Sequence, residues 1–268
     1  MAIDPTAFED MALDEDADGV LTVTLNRPDS LNAMSVGMRA GLRRLPALVN
    51  ESPTIRAVVL TGAGRGFCSG ADMSANAASP YAPDGSRAAI ERTRYGWVTE
   101  FRSISRPVIA AVNGVAAGGG LSLALACDRR VASEEARLGA IWVRRGLVPD
   151  MGASNMLVHL VGLPRALDML WTGELVAAQQ ALAIGLVDDV CPAEELLDRA
   201  QAYARKLAVG PAVAITFAKR LAHYALDHQL AESADLEDLY QRMVSTTEDV
   251  REGRLSFVER RAPRFIGR

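Results

Sequence analysis

The chain has 268 residues, 49% hydrophobic and 23% charged, with a formal net charge of −4. That length and apolar content allow a large core in one or two domains, and the slightly acidic balance argues against a nucleic-acid binder, which needs a basic surface. No basic segment followed by an apolar run stands at the start and no apolar stretch reaches membrane-spanning length, so a soluble, cytoplasmic protein with no membrane partner is expected. Cys68, Cys127 and Cys191 follow neither metal-ligand spacing nor a disulfide framework; reduced thiols and no metal site are expected.

In chain order, a short acidic lead over 1–18 precedes Val20–Leu25, whose alternation of apolar and polar residues predicts a half-buried strand closed by the turn Arg27-Pro28-Asp29-Ser30. An amphipathic helix is expected over 34–50, a buried strand over 54–61, a loop over 74–86 and a helix from there to about 105. Strands over 108–112 and 129–132 each adjoin a helix, and repeated strand-strand-helix units suggest an α/β core. Beyond 178 helical spacing dominates, with helices expected over 193–207, 211–225 and 232–244, and Pro192 and Pro211 suit first turns.

Two segments carry chemistry. In PVIAAVNGVAAGGGLSLALACD (107–128) an apolar strand passes through a turn into three glycines that open a helix. The first amides of a helix lack intrahelical partners and the macrodipole there is positive, so an anion or developing oxyanion is stabilised. Three glycines in one helical turn cost roughly 1 kcal/mol each against alanine, which points to a use beyond stability, although close helix packing is the plain alternative. In AVVLTGAGRGFCSGADM (57–73) a second strand ends in Gly70-Ala71-Asp72, again presenting backbone amides. Two such loops facing each other make an oxyanion hole, in which one donor contributes about 3–4 kcal/mol to the transition state. Cys68 lies beside this loop, with packing the preferred role over nucleophilic catalysis.

These segments, with VLTVTLNRPDSLNAMS (20–35), RRGLVPDMGASNML (144–157) and EGRLSFVERRAPRF (252–265), resemble the enoyl-CoA hydratase/isomerase (crotonase) superfamily over essentially the whole chain. The resemblance implies a crotonase-like spiral of β-β-α units over 1–191, followed over 192–268 by a helical C-terminal region that builds homotrimers or hexamers. It implies an acyl-CoA thioester substrate and no separate cofactor, coenzyme A being part of the substrate. The oxyanion donors then fall on the amides of Ala71 and Gly119. Coenzyme A contacts fall on Arg27, the backbone of Leu31 and Ala33, the loop residues Gly70 and Asp72, and Phe257 and Arg260 of the last helix, often from a neighbouring subunit. Exposed roles remain open for Arg27 and Arg260, and a structural one is preferred for Asp72.

The chain departs from the hydratase pattern at the two glutamates that position water, where it carries Ser122 and Trp142. Neither is a carboxylate base, so ordinary hydration is disfavoured. Asp150 stands where double-bond-shifting relatives carry their acid/base aspartate; its alternative is to N-cap the following helix. Leu147, Val148 and Trp142 are expected to give it partly apolar surroundings. Moving a β,γ double bond into conjugation needs one carboxylate that removes and returns a proton, so isomerisation with Asp150 is the favoured activity. Trp142 is expected to wall the pocket or to hydrogen-bond there, because a buried indole N–H seeks a partner. Three alternatives remain: a hydratase using non-glutamate residues, an aryl-CoA dehalogenase-like hydrolase, which also pairs tryptophan with aspartate, and an inactive acyl-CoA-binding protein. The dehalogenase branch places a histidine upstream of the glycines, whereas His159, His223 and His228 all lie downstream.

Overall fold

Alternation along Ala57–Gly62 sends Val58 and Leu60 to one face of a sheet and Ala57 and Val59 to the other, and both faces are buried. A strand buried on both sides belongs to the interior of a parallel sheet with layers on each face. In the computed structural model, which describes residues 8–73 and 96–268, that strand lies inside a six-stranded sheet. Its order is β1 (Met11–Glu15), β2 (Val20–Leu25), β3 (Ala57–Gly62), β5 (Val108–Val112), β7 (Arg129–Ser133) and β10 (Asp189–Cys191). All neighbours run parallel except β1, which is antiparallel to β2. A four-stranded sheet follows the order β4 (Gly66–Cys68), β6 (Val115–Ala117), β8 (Arg137–Gly139) and β9 (Leu175–Ala177).

The pairs β3–β4, β5–β6 and β7–β8 each step from the large sheet to the small one, so successive units wind as a spiral. Helices α1 (Val36–Glu51), α2 (Gly96–Arg102) and α3 (Gly119–Ala126) follow β2, β4 and β6 in the chain. Ser35 caps α1 by accepting the Met38 amide at 3.0 Å. Every residue of α3 is buried, as a helix that is apolar all round requires. Beyond β8 come α4 (Ala153–Val161), α5 (Leu163–Thr172) and the short α6 (Ala178–Ala183).

After β10 only helices follow: α7 (Leu196–Ala208), α8 (Ala212–Ala225), α9 (Leu230–Val244) and α10 (Glu248–Glu259). Leu196, Ala200, Ala204 and Ala208 recur every fourth residue on α7 and pack on Val20, Val59, Ile109 and Val131. Small side chains on that stripe let the helix close tightly on the sheet. Among the described residues no helix is long and apolar enough to cross a membrane.

Two expectations need revision. The acidic lead contains β1, which is recruited by pairing with β2 and carries its own alternation of burial. The last helix ends at Glu259, because Arg260 turns left-handed at φ 54° and the tail folds back, with buried Asp249 accepting the Ile266 and Gly267 amides at 2.7 and 2.9 Å. The expected loop over 74–86, and the first part of the helix after it, lie outside the described residues.

Candidate active site

The loop after β4 is stitched to the segment after Arg27. Ser69 donates its amide to the Leu31 carbonyl at 2.9 Å, Met34 to Gly70 at 2.7 Å and Asp72 to Met34 at 3.4 Å, forming a one-residue parallel bridge between Met34 and Ala71. In such a bridge the residues flanking Ala71 supply the bonding groups, so the Ala71 amide is left over. It has no hydrogen-bond partner among the described residues. The Gly70 amide faces the Cys68 sulfur instead.

Gly119 opens α3, and its amide likewise has no partner among the described residues. The neighbouring Gly118 donates to the Gly139 carbonyl at 3.0 Å and accepts from Ser122 at 3.1 Å. Gly70 has φ +100°, and a β-carbon there would lie 2.9 Å from the Ala117 oxygen and 3.3 Å from the Gly119 nitrogen. Only glycine permits both that conformation and that approach. The two open amides therefore stand on touching backbones, that of Gly119 at the positive end of α3. Gly120, by contrast, is demanded by packing, since a β-carbon there would collide with the Cys68 carbonyl.

The Asp150 backbone packs against the first turn of α3. Ser122, one turn into α3, donates its hydroxyl to the Asp150 carbonyl at 3.1 Å, and Met151 and Met34 both touch the space beside Gly119. The buried Trp142 donates its indole N–H to Asp150 Oδ1 at 3.1 Å. A five-residue 3-10 turn, Ile141–Arg145, closed by left-handed Gly146, brings these two residues together. The N-cap of α4 is Gly152 rather than Asp150, whose carbonyl accepts the Ala153 amide at 3.0 Å. Leu147 and Val148 do not enclose it. They are 49% and 79% exposed, because the turn at Gly146 sends the following residues outward. Arg144 and Arg145 both lie exposed on the 3-10 turn.

The other singled-out residues scatter. Arg27 is engaged within the chain: Nη1 donates to the Ala33 carbonyl and to Asp72 Oδ2, both at 2.7 Å, and Nε lies 3.6 Å from Asp10 Oδ2. Leu31 and Ala33 both use amide and carbonyl in this local network. Phe257 is 85% exposed on α10. It lines an apolar hollow of about 580 Å³ with Val213, Val250 and Phe265, which shares no residue with the Ala71, Gly119 and Asp150 group. Arg260 is exposed at the end of α10.

Burial pushes the Cys68 thiol up to about 12, with the Gly70 amide opposing, and that of Cys127 likewise to about 12. Both are closed off from solvent and so are poor nucleophiles. Among the described residues no cluster of His, Cys, Asp or Glu could hold a metal ion. Sequence reasoning missed the role of Ser122 as an anchor of the Asp150 backbone and that of Asn32. Buried Asn32, at φ 55°, accepts the Arg27 amide at 2.8 Å and donates to Ala63 and Gly66 at 2.9 and 2.7 Å. An asparagine two residues past a proline turn signals a left-handed position, but not its partners.

The two-sheet spiral thus brings two amides without partners among the described residues, those of Ala71 and Gly119, onto adjoining backbones. The model of the enoyl-CoA hydratase/isomerase family matches residues 15–268, and the chain belongs to that family. Among its relatives, the 1,2-epoxyphenylacetyl-CoA isomerase of Escherichia coli K12 is 38% identical, with 93% of this chain and 96% of that one covered. The (E)-benzylidenesuccinyl-CoA hydratase of Thauera aromatica is 36% identical, covering 92% and 96%. The crystal structure of an enoyl-CoA hydratase from Bacillus anthracis superposes with a TM-score of 0.90 at 32% identity, covering 97% of this chain and all of that one. The chain is thus an acyl-CoA-processing enzyme of this family, with a crotonase fold.

Proposed function

We propose that the chain shifts a β,γ double bond of an acyl-CoA into conjugation with the thioester, with Asp150 as base and proton carrier. The observation that carries this reading is the hydrogen bond from Trp142 Nε1 to Asp150 Oδ1 at 3.1 Å. It holds a single carboxylate beside the first turn of α3, while Ser122, at the other glutamate position of hydratases, is spent on the Asp150 backbone at 3.1 Å. Of the two residues that would hold a water between carboxylates, neither is acidic.

The chemistry balances on that one carboxylate. Asp150 takes the proton between the thioester carbonyl and the double bond, and the electron pair moves through the carbonyl carbon onto oxygen. The Ala71 and Gly119 amides donate to that oxygen, whose charge exists only in the dienolate and its transition states. The carboxylic acid then returns the proton at the γ-carbon, giving the α,β-enoyl thioester and restoring Asp150. The relatives include an isomerase of an epoxyacyl-CoA at 38% identity and a hydratase at 36%, the latter naming the competing reaction.

The test is a comparison of substrates on the wild-type protein. 3-Hexenoyl-CoA should isomerise to 2-hexenoyl-CoA much faster than 2-hexenoyl-CoA hydrates. Rapid hydration without isomerisation overturns the reading, and halide release from 4-chlorobenzoyl-CoA would favour the dehalogenase chemistry instead.

A further inference from the structure

Arg27 looks from sequence like a phosphate ligand, yet its guanidinium already has company. Nη1 is 2.7 Å from Asp72 Oδ2 and 2.7 Å from the Ala33 oxygen, and Nε is 3.6 Å from Asp10 Oδ2. The guanidinium is thus engaged by two carboxylates and a carbonyl of this chain, and a phosphate brought to it would have to displace bonds already made and would be repelled by the nearby carboxylates. The pair with Asp72 is also sheltered, the two side chains being 26% and 10% exposed.

What this contact joins is more telling. Ala33 and Asp72 lie on the two strands of the one-residue bridge that sets Ala71, and Nη1 is bonded to both. The bridge itself is made by the Met34 amide bond at 2.7 Å and the longer Asp72 one at 3.4 Å, and on the side before Ala71 the Ser69 amide bond to Leu31 at 2.9 Å joins the same two segments. A pairing that short has no cooperative ladder to keep its register, whereas a charge-assisted bond across it fixes both sides at once. The direction of the Ala71 amide follows from that register.

We infer that Arg27 is a positioning residue, which braces the Ala71 amide through Asp72 and Ala33, and that coenzyme A phosphates are not its ligand. The inference rests on reading Ala71 as an oxyanion donor, and the experiment separates the two. Cinnamoyl-CoA and cinnamoyl-pantetheine, which lacks the nucleotide and its phosphates, are bound to wild type, Arg27→Lys and Asp72→Asn. Amides that polarise the thioester carbonyl shift the cinnamoyl absorption to the red, a signature that a merely folded protein does not produce.

With both probes, Arg27→Lys and Asp72→Asn should lose about half or more of the red shift, since a displacement near 1 Å can cost about 100-fold in function. The ratio of the two probes' affinities should stay as in wild type. A lysine preserves charge but cannot span both acceptors as the guanidinium does, and Asp72→Asn keeps the shape of the side chain while removing its charge. Thermal melting checks that each variant is folded, and the near-isosteric Asp72→Asn carries the test if Arg27→Lys is not. Intact red shifts in both variants, or tighter binding of cinnamoyl-CoA alone in Asp72→Asn, would overturn the inference. Absence of a red shift in wild type would instead remove the oxyanion reading itself, and the brace with it.

Discussion

Replacing Asp150 by asparagine removes the proton carrier while keeping the shape of the side chain. The asparagine oxygen can still accept the Trp142 indole N–H, now 3.1 Å from Asp150 Oδ1, and the backbone bonds from Ser122 and Ala153 at 3.1 and 3.0 Å do not involve the side chain. The open amides of Ala71 and Gly119 are likewise untouched. The loss of acid-base transfer is worth about 10²–10⁴-fold, which is about 3–5 kcal/mol at 1.36 kcal/mol per decade. Conversion of 3-hexenoyl-CoA is followed by the absorbance of the conjugated thioester, together with thermal melting of the variant and the binding of cinnamoyl-CoA. The expected result is normal melting, a normal red shift of the bound probe and turnover lowered in kcat rather than in apparent affinity. Unchanged isomerisation by a correctly folded Asp150→Asn protein would refute the reasoning and leave the proton transfer to another group.

Gly119 occupies the first position of α3, which accepts proline without loss of a helix bond, so Gly119→Pro should delete one oxyanion donor and lower turnover by about 10²–10³-fold. A β-carbon there meets only the flexible ends of Met34 and Met151, at 2.6 and 3.2 Å; Gly119→Ala therefore serves as the control that keeps the amide, and equal turnover in the two variants would sink the donor role. Asp128 offers a test of pH dependence away from the site. Burial raises its carboxyl, but the His223 and Lys219 contacts and the Val108 amide outweigh that and hold it below the ordinary range. A depressed carboxyl adds stability that is full above its unfolded value, near 4, and is lost as pH falls through the folded value. Urea unfolding of wild type should therefore weaken more steeply below about pH 4 than that of Asp128→Asn. At neutral pH the variant should be less stable by about 3 kcal/mol, because Lys219 keeps a buried charge without its partner. Parallel stability curves for the two proteins would show that the cluster contributes nothing.

Much of the fold was legible from local pattern. Val20–Leu25, the strand ending near Gly62, Val108–Val112 and the amphipathic C-terminal helices all declare themselves by period, since a side chain's direction follows from its place in a strand or helix. So do the glycines after β4 and β6, whose cost is unexplained unless backbone must come close. The three-residue strands β4, β6, β8 and β9 are too short to show any period. They exist because the chain steps between two sheets, a choice made by distant partners, and β1 is a strand only because β2 lies beside it.

The site divides in the same way. Sequence alone determined which residues were available: two glycine-rich loops with amides to spare, and Asp150 and Trp142 in place of a pair of glutamates. Tertiary structure decided which groups remain free. The Met34–Ala71 bridge consumes the bonding groups around Ala71 and omits its own amide, Ser122 is turned to a backbone carbonyl, Leu147 and Val148 face outward, and Arg27 spans 45 residues to Asp72. Periodicity reports the face of an element a side chain occupies, but a hydrogen bond depends on the position of both partners to within a few tenths of an ångström. Between residues far apart in the chain, that position exists only after the sheets and helices have packed.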